Sequence, residues 1–391
     1  MLGMKKNLLV YLVLLFWMQW TTSCNGDFPL ADRTRSYIAF SSESPMRFMI
    51  YERGHVPAQF EYSLNGGDWK AYTLNEVLDF GSTHGTLRLR GSNAFGTAVS
   101  SANKLRVIVD GPEEALFEVS GDIRTLVDWK NYESADMTQA RFSGLFQDCR
   151  LMVSAPDLPA MQLDEECYEF MFDGCFNLLK APELPATQLE ESCYRFMFRD
   201  CVSLQETPTL PATEVPKYCY STMFDGCKGL KKAGSIEAVK LGEYACESMF
   251  YGCDSLLAAP ELHATQLAKS CCVSMFRRCK SLVTAPDVLP AKNLALNCYA
   301  GMFAECVNLA KTPVLPAEVL ENGCYSSMFE DCHALREVTM LAHHIEETHV
   351  EEWLGGTPGG IFRKSPHMSL EALYHANAVC EGGEWQVVDY E

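Results

Sequence analysis

Between Phe146 and Cys332 the apolar positions recur with a long, fixed period. The motif Phe-x-x-Cys ends at Cys149, Cys175, Cys201, Cys227, Cys253, Cys279, Cys306 and Cys332, with six intervals of 26 residues and one of 27. A period of this size marks a solenoid, in which no single repeat can cover its own apolar side and stacked neighbours share one core. Inside a repeat, Cys167, Met171 and Cys175 fall at i, i+4 and i+8, a spacing that predicts one stripe of a short helix. Gly174 stands where such a helix would end. Leu178-Leu179-Lys180 reads as extended up to Pro182, which lacks an N–H to give to a ladder, so the parallel strand of each coil should be very short. The block Ala-Pro-x-Leu-Pro-Ala, as at Ala155 to Ala160 and Ala181 to Ala186, then turns the chain into the next coil. Two coils depart from this pattern: residues 233–238 lack both prolines, and Asp287-Val288-Leu289 carries the extra residue of the 27-residue interval.

The flanks follow other rules. Phe60-Glu61-Tyr62-Ser63-Leu64, then Asn65-Gly66-Gly67-Asp68, then Trp69-Lys70-Ala71-Tyr72-Thr73 predict a hairpin, because alternating strands meet at a turn that needs positive φ. Residues 86–91 and 104–109 alternate as well, so 24–120 reads as a small β-sandwich-like domain. The solenoid is expected over 121–340. The Gly-rich stretch 341–391, with Trp353 and Trp385, reads as a cap over its last coil.

Residues 1–23 read as a secretory signal: Lys5 and Lys6 precede an apolar run from Leu8 to Trp20 that is too short to span a bilayer comfortably. Thr21-Thr22-Ser23-Cys24 resembles the lipobox of bacterial lipoproteins. That resemblance implies lipidation at Cys24 and a membrane contact through the lipid anchor.

The repeat, Phe-x-x-Cys-x-x-Leu followed by Ala-Pro-x-Leu-Pro-Ala, resembles the BspA-like leucine-rich-repeat proteins of Bacteroidetes. The likeness extends to the hairpin at Tyr62 to Gly67, to Trp353-Leu354-Gly355-Gly356, to Gly360 to Lys364, and to Glu384 to Val388. It implies an α/β leucine-rich-repeat solenoid of 26-residue coils, each a short helix plus a short parallel strand. It also implies display on the cell surface, in the outer membrane, and a role in adhesion. It brings no catalytic residue with it.

Composition narrows the chemistry. The chain is 48% hydrophobic and 21% charged, with a formal charge of −19. That balance argues against nucleic acid, whose phosphates need a basic footprint. The eighteen cysteines suggest a disulfide framework in an exported chain. However, on a helix Cys167 and Cys175 would lie about 12 Å apart, and equivalents on neighbouring helices about 8–10 Å. Both exceed disulfide reach, so reduced core thiols are expected, with Cys246, Cys271, Cys272 and Cys380 the most open to exceptional pairing.

The remaining constellations read as structural. His343, His344 and His349 with Glu346 and Glu347 read as a solvated helix face and not a metal site. Tyr168, Tyr194, Tyr220, Tyr299 and Tyr325 read as inter-coil packing with wet hydroxyls. Glu165-Glu166 and Glu190-Glu191 read as acids at helix N-termini. No cofactor and no catalytic or metal site is expected. The leading expectation is a non-enzymatic, monomeric binding protein that recognises a protein or cell-surface ligand. The face beside the short strands would carry Lys180, Glu183, Glu206, Thr209, Lys232, Glu261, Thr284, Lys311 and Glu337, which vary from coil to coil. The alternative is a glycan-capturing surface lipoprotein of a polysaccharide uptake system.

Overall fold

The computed structural model describes residues 36–100, 102–379 and 384–391; residues 1–23, Cys24 and Cys380 lie outside them. The first strands are β1 (Ile38–Ser41), β2 (Met46–Arg53), β3 (Phe60–Leu64), β4 (Lys70–Tyr72), β5 (Leu78–Phe80), β6 (Leu87–Gly91), β7 (Lys104–Asp110), β8 (Phe117–Ser120) and β9 (Met152–Ser154). They form two sheets, ordered β4-β3-β6-β1-β8-β9 and β5-β2-β7. Phe40, Phe48, Phe80 and Phe117 pack between them, wholly buried. β3 and β4 pair antiparallel, Phe60 opposite Tyr72, around a turn in which Asn65 and Gly66 both take positive φ (49° and 73°). This is the backbone that an Asn-Gly hairpin turn requires.

The first sheet does not stop at a domain border. β8 pairs in parallel with β9, which belongs to the first coil. Behind it, β7 takes the place of a preceding coil: Val107 N–H donates to Leu145 O at 2.7 Å and Arg106 Nε to Gln147 O at 2.8 Å.

The coils are a β-solenoid of about seven turns with almost no helix, and this corrects the expected α/β leucine-rich-repeat architecture. Among the described residues the one α-helix is α1 (Leu370–His375), outside the coils. Where the sequence predicted a helix, the chain runs as a ribbon of overlapping tight turns. In one coil Cys167, Glu169, Met171, Asp173 and Cys175 each donate N–H to the carbonyl three residues back, at 3.1–3.2 Å. The residues between them donate to the next coil instead: Tyr168 to Cys193 O, Phe170 to Arg195 O, Phe172 to Met197 O and Gly174 to Arg199 O, at 2.8–3.0 Å. A helix would spend its N–H groups on itself. The ribbon divides them between its own turns and its neighbour, so the buried backbone is satisfied and successive coils sit at the spacing of hydrogen-bonded strands, about 4.8 Å.

Alternate turns need positive φ at their third residue, as type II turns do. Every fourth residue therefore adopts it: Glu166 (55°), Phe170 (56°) and Gly174 (72°), then Ser192, Phe196 and Asp200 one coil later. Each non-glycine residue there costs roughly 1–2 kcal/mol, a strain that persists because the surrounding contacts over-determine it.

The remainder of each coil is extended and short. β10 (Glu214–Val215), β11 (Lys240–Leu241) and β12 (Gln266–Leu267) form one parallel ladder. β13 (Lys311–Leu315), β14 (Glu337–Met340), β15 (Gly360–Lys364) and β16 (Trp385–Asp389) form another that runs into the C-terminal segment.

Side chains stack in files along the solenoid. The phenylalanines of Phe-x-x-Cys form one unbroken file from Phe146 to Phe329, with ring centroids 5.3–5.8 Å apart. Phe40 of the sandwich meets its first member at 6.5 Å. Trp353 closes the other end at 6.2 Å, held by Nε1–H to Ala378 O at 3.0 Å.

Candidate binding face

The exposed edge of the extended segments gathers the nine positions singled out from the sequence into two neighbouring files. Cross-coil bridges pair Glu206 with Lys232, Ala258 with Thr284 and Lys311 with Glu337. With Lys180 one coil before Glu206, six of the nine form one file. Thr209 and Glu261 form the second, each one residue before the bridged row Leu210–Ile236–Leu262, and Glu183 holds the equivalent position one coil before Thr209. Eight of the nine are exposed and Glu337 is half-buried. This follows from local sequence: Ala181 and Leu184 turn inward, so Lys180 and Glu183, each beside one of them on an extended chain, face out.

The charges along the first file change sign within each end and are interrupted by the uncharged Ala258 and Thr284 between them. Lys180, Glu206 and Lys232 occupy successive coils. Farther on, Lys311 Nζ lies 3.3 Å from Glu337 Oε1, and Arg363 Nε lies 3.5 Å from the same oxygen. On the adjoining side Lys240 pairs with Glu214 at 2.9 Å. Exposed pairs of this kind contribute little stability.

The turn-ribbon side carries a different set of groups. Glu169 is buried beneath Arg195, whose Nη1 lies 3.8 Å from it. Burial, reinforced by nearby Glu166, lifts the Glu169 carboxyl to about 7 against the pull of Arg195 and Lys104. Lys104, reaching across from β7, is buried as well, and its pKa is lowered chiefly by that burial. Asp173 is clamped by Arg199 through Nε and Nη2, both at 2.9 Å. Asp225 is lifted to about 6 by burial and by Asp200. The guanidinium of Arg195 lies between the rings of Phe196 and Tyr218, and that of Arg199 between Phe170 and Phe196. Sequence reasoning missed this cluster because its members are one coil apart and meet only at β-spacing.

The tyrosine file is buried at every member and packs between coils as expected, Tyr168 and Tyr194 stacking at 6.0 Å; the Oη of Tyr168 is sealed from solvent and lacks a hydrogen-bond partner. Glu165, Glu166, Glu190 and Glu191 lie at the start of a turn ribbon, not of a helix. The three histidines do not share a helix face: His349 is buried in a short 3-10 turn and accepts from Glu346 N–H, His343 packs on His367, and His344 faces Glu346. Among the described residues no group of three or more His, Cys, Asp or Glu is arranged to hold a metal ion.

The sixteen described cysteines are free and buried. Their spacing departs from the helix-based expectation, because coils at β-spacing bring equivalent residues within disulfide reach. The Phe-x-x-Cys thiols make a regular bond instead: Cys175 donates to Phe146 O, Cys201 to Phe172 O, Cys227 to Phe198 O and Cys253 to Phe224 O, at 3.1–3.2 Å. Cys279, Cys306 and Cys332 continue the series.

A second missed feature lies on the sandwich, where Arg90 is stacked between Trp69 and Trp129, 3.9 and 3.4 Å from the ring centroids, and is paired with Glu61. No family model, curated protein or solved structure matches this chain.

Proposed function

We propose that this is a non-enzymatic, exported surface protein that binds a protein or cell-surface ligand along the exposed edge of its coils. The observation that carries the reading is the pair of files from Lys180 to Glu337: side chains that differ in charge from coil to coil, held in line by a backbone whose hydrogen bonds are internal. A rigid surface of this kind offers charges at steps of about 4.8 Å. It also loses little entropy when a ligand settles on it. Because the first file carries charges of both signs, Lys180, Glu206 and Lys232 at one end and Lys311 and Glu337 at the other, the partner is one with charges of both signs along an extended surface, as a polypeptide has, rather than a polyanion.

The signal-like segment and Cys24 support export and lipid anchoring at the outer membrane, in keeping with the resemblance to BspA-like surface proteins. Burial of the tyrosine file takes away the most regular set of aromatic platforms available to a sugar, which weighs against the glycan-capture alternative.

The test is binding of the mature protein to a panel of host matrix proteins and glycans, with Lys180→Glu/Lys232→Glu alongside the native chain. Binding to a protein ligand that drops at least tenfold in the double variant, with an unchanged melting curve, supports the reading. Binding that ignores the double variant, or no binding at all, contradicts it.

A further inference from the structure

Cys193 and Cys219 differ from the other thiols. The Phe-x-x-Cys sulfurs each hold a backbone carbonyl, and Cys167, one coil before Cys193, donates to Ala140 O at 3.0 Å. In Cys193 and Cys219 the hydrogen bond runs from sulfur to sulfur, with the Sγ atoms 3.0 Å apart. The backbones beneath them are directly joined, Tyr194 N–H to Cys219 O at 3.2 Å. Equivalent Cα atoms in such a ladder lie about 4.8 Å apart, inside the range that a disulfide spans. Both side chains are wholly buried. Cys272 also has thiol neighbours, but two of them, Cys246 and Cys271, so no single partner is selected.

We propose that Cys193 and Cys219 form a modification site, an inter-coil disulfide made when the chain folds in the presence of a small-molecule or protein disulfide. The thiolate of one cysteine attacks the oxidant's S–S bond, giving a mixed disulfide and releasing one thiol. The second cysteine displaces the remaining thiol and closes the Cys193–Cys219 bond. The two cysteines lose two electrons and two protons, and the oxidant's disulfide becomes two thiols. The bond closes as the two coils come together, before the site is sealed. Once they stack, the site is dry, and burial pushes the Cys193 thiol well above its ordinary range, so the folded pair neither attacks nor is attacked. The state of the pair therefore records the redox conditions under which the chain folded.

The test refolds the full chain from denaturant in a reduced/oxidised glutathione buffer and, separately, in dithiothreitol. Free thiols are then alkylated under denaturing conditions and the peptides mapped without reduction. A glutathione buffer reshuffles bonds that the native fold cannot hold, so the expected product is one linkage, Cys193–Cys219, in most molecules, with the other described thiols alkylated. Cys219→Ser should leave Cys193 alkylated with no substitute linkage, and should remove the difference in melting temperature between the two refolded forms. Alkylation of both Cys193 and Cys219 in the glutathione arm, or a Cys246–Cys272 linkage in their place, overturns the proposal whether or not the variant folds.

Discussion

The thiol of Cys201 donates to the carbonyl oxygen of Phe172 in the preceding coil at 3.2 Å, and the same oxygen accepts Cys175 N–H from its own coil at 3.1 Å. Both lone pairs of one buried oxygen are thus used, one to close a turn and one to join two coils. This accounts for cysteine at that position better than size alone, since an apolar residue of similar volume has no proton to offer. Cys201→Ala should lose the bond and leave a small void, lowering unfolding free energy by about 1–3 kcal/mol. Cys201→Ser keeps a donor and should lose less. Urea unfolding of the two variants decides the matter; equal losses would mean that the bond contributes nothing.

The thiols should be silent in the native state. All sixteen described cysteines are buried, and burial raises most of them, Cys149 to about 12. A chromogenic aromatic disulfide at mildly alkaline pH should therefore report none of the sixteen until denaturant is added, and then all of them in the reduced protein. Rapid reaction of several in the folded protein would contradict the stacked core.

Substitutions at the positive-φ positions should invert the usual effect of glycine. Ser248 holds φ 52° in the ribbon. Ser248→Gly should raise stability by about 1 kcal/mol, because glycine occupies that region without strain. Gly226 holds φ 71°, and a Cβ there would stand 2.4 Å from Asp200 Oδ1. Gly226→Ala should destabilise by about 1–3 kcal/mol. Thermal or urea unfolding checks both signs.

Stability should fall as pH rises from about 5 to about 8. Burial lifts the Glu169 carboxyl to about 7 and that of Asp225 to about 6. Each folded value lies above the unfolded one, so the native state holds more protons across this window. The stabilisation is complete below the ordinary carboxylate range and is lost as pH passes through the folded values. Glu169→Gln should flatten part of the decline, read as the urea midpoint against pH. A midpoint that rises over the same window would exclude this account of the two carboxyls.

Much of this architecture is legible in the residues. The 26-residue period gave the stacking, Asn65-Gly66 gave the hairpin, and Leu184 and its equivalents gave the inward side that leaves Glu183 outside; Pro182 and its equivalents do not set the strand length, since Pro313 lies within β13. The ribbon was not legible, for a definite reason. Cys167, Met171 and Cys175 recur every four residues across nine, and a four-residue period drifts from a helix by only about 40° per step. Over so short a stretch the two cannot be told apart. The signal that separates them is glycine at each positive-φ position, and the sequence places Glu166 and Phe170 there beside Gly174. The error carried into the cysteine argument, where helix spacing put neighbouring thiols out of reach. The buried Glu169–Arg195 contact was hidden for the same reason.

The central claim, that coils stack through hydrogen-bonded turn ribbons, is tested most directly by a distance along the ribbon side. Glu165 and Asn322 are exposed, occupy equivalent positions and are six coils apart, through Glu191, Lys217, Glu243, Lys269 and Leu296. With spin labels on cysteines at these two positions, the sixteen described thiols being buried, double electron–electron resonance should report about 29 Å, six steps at strand spacing. A distance of about 50–60 Å, six steps at helix-packing spacing, would contradict it.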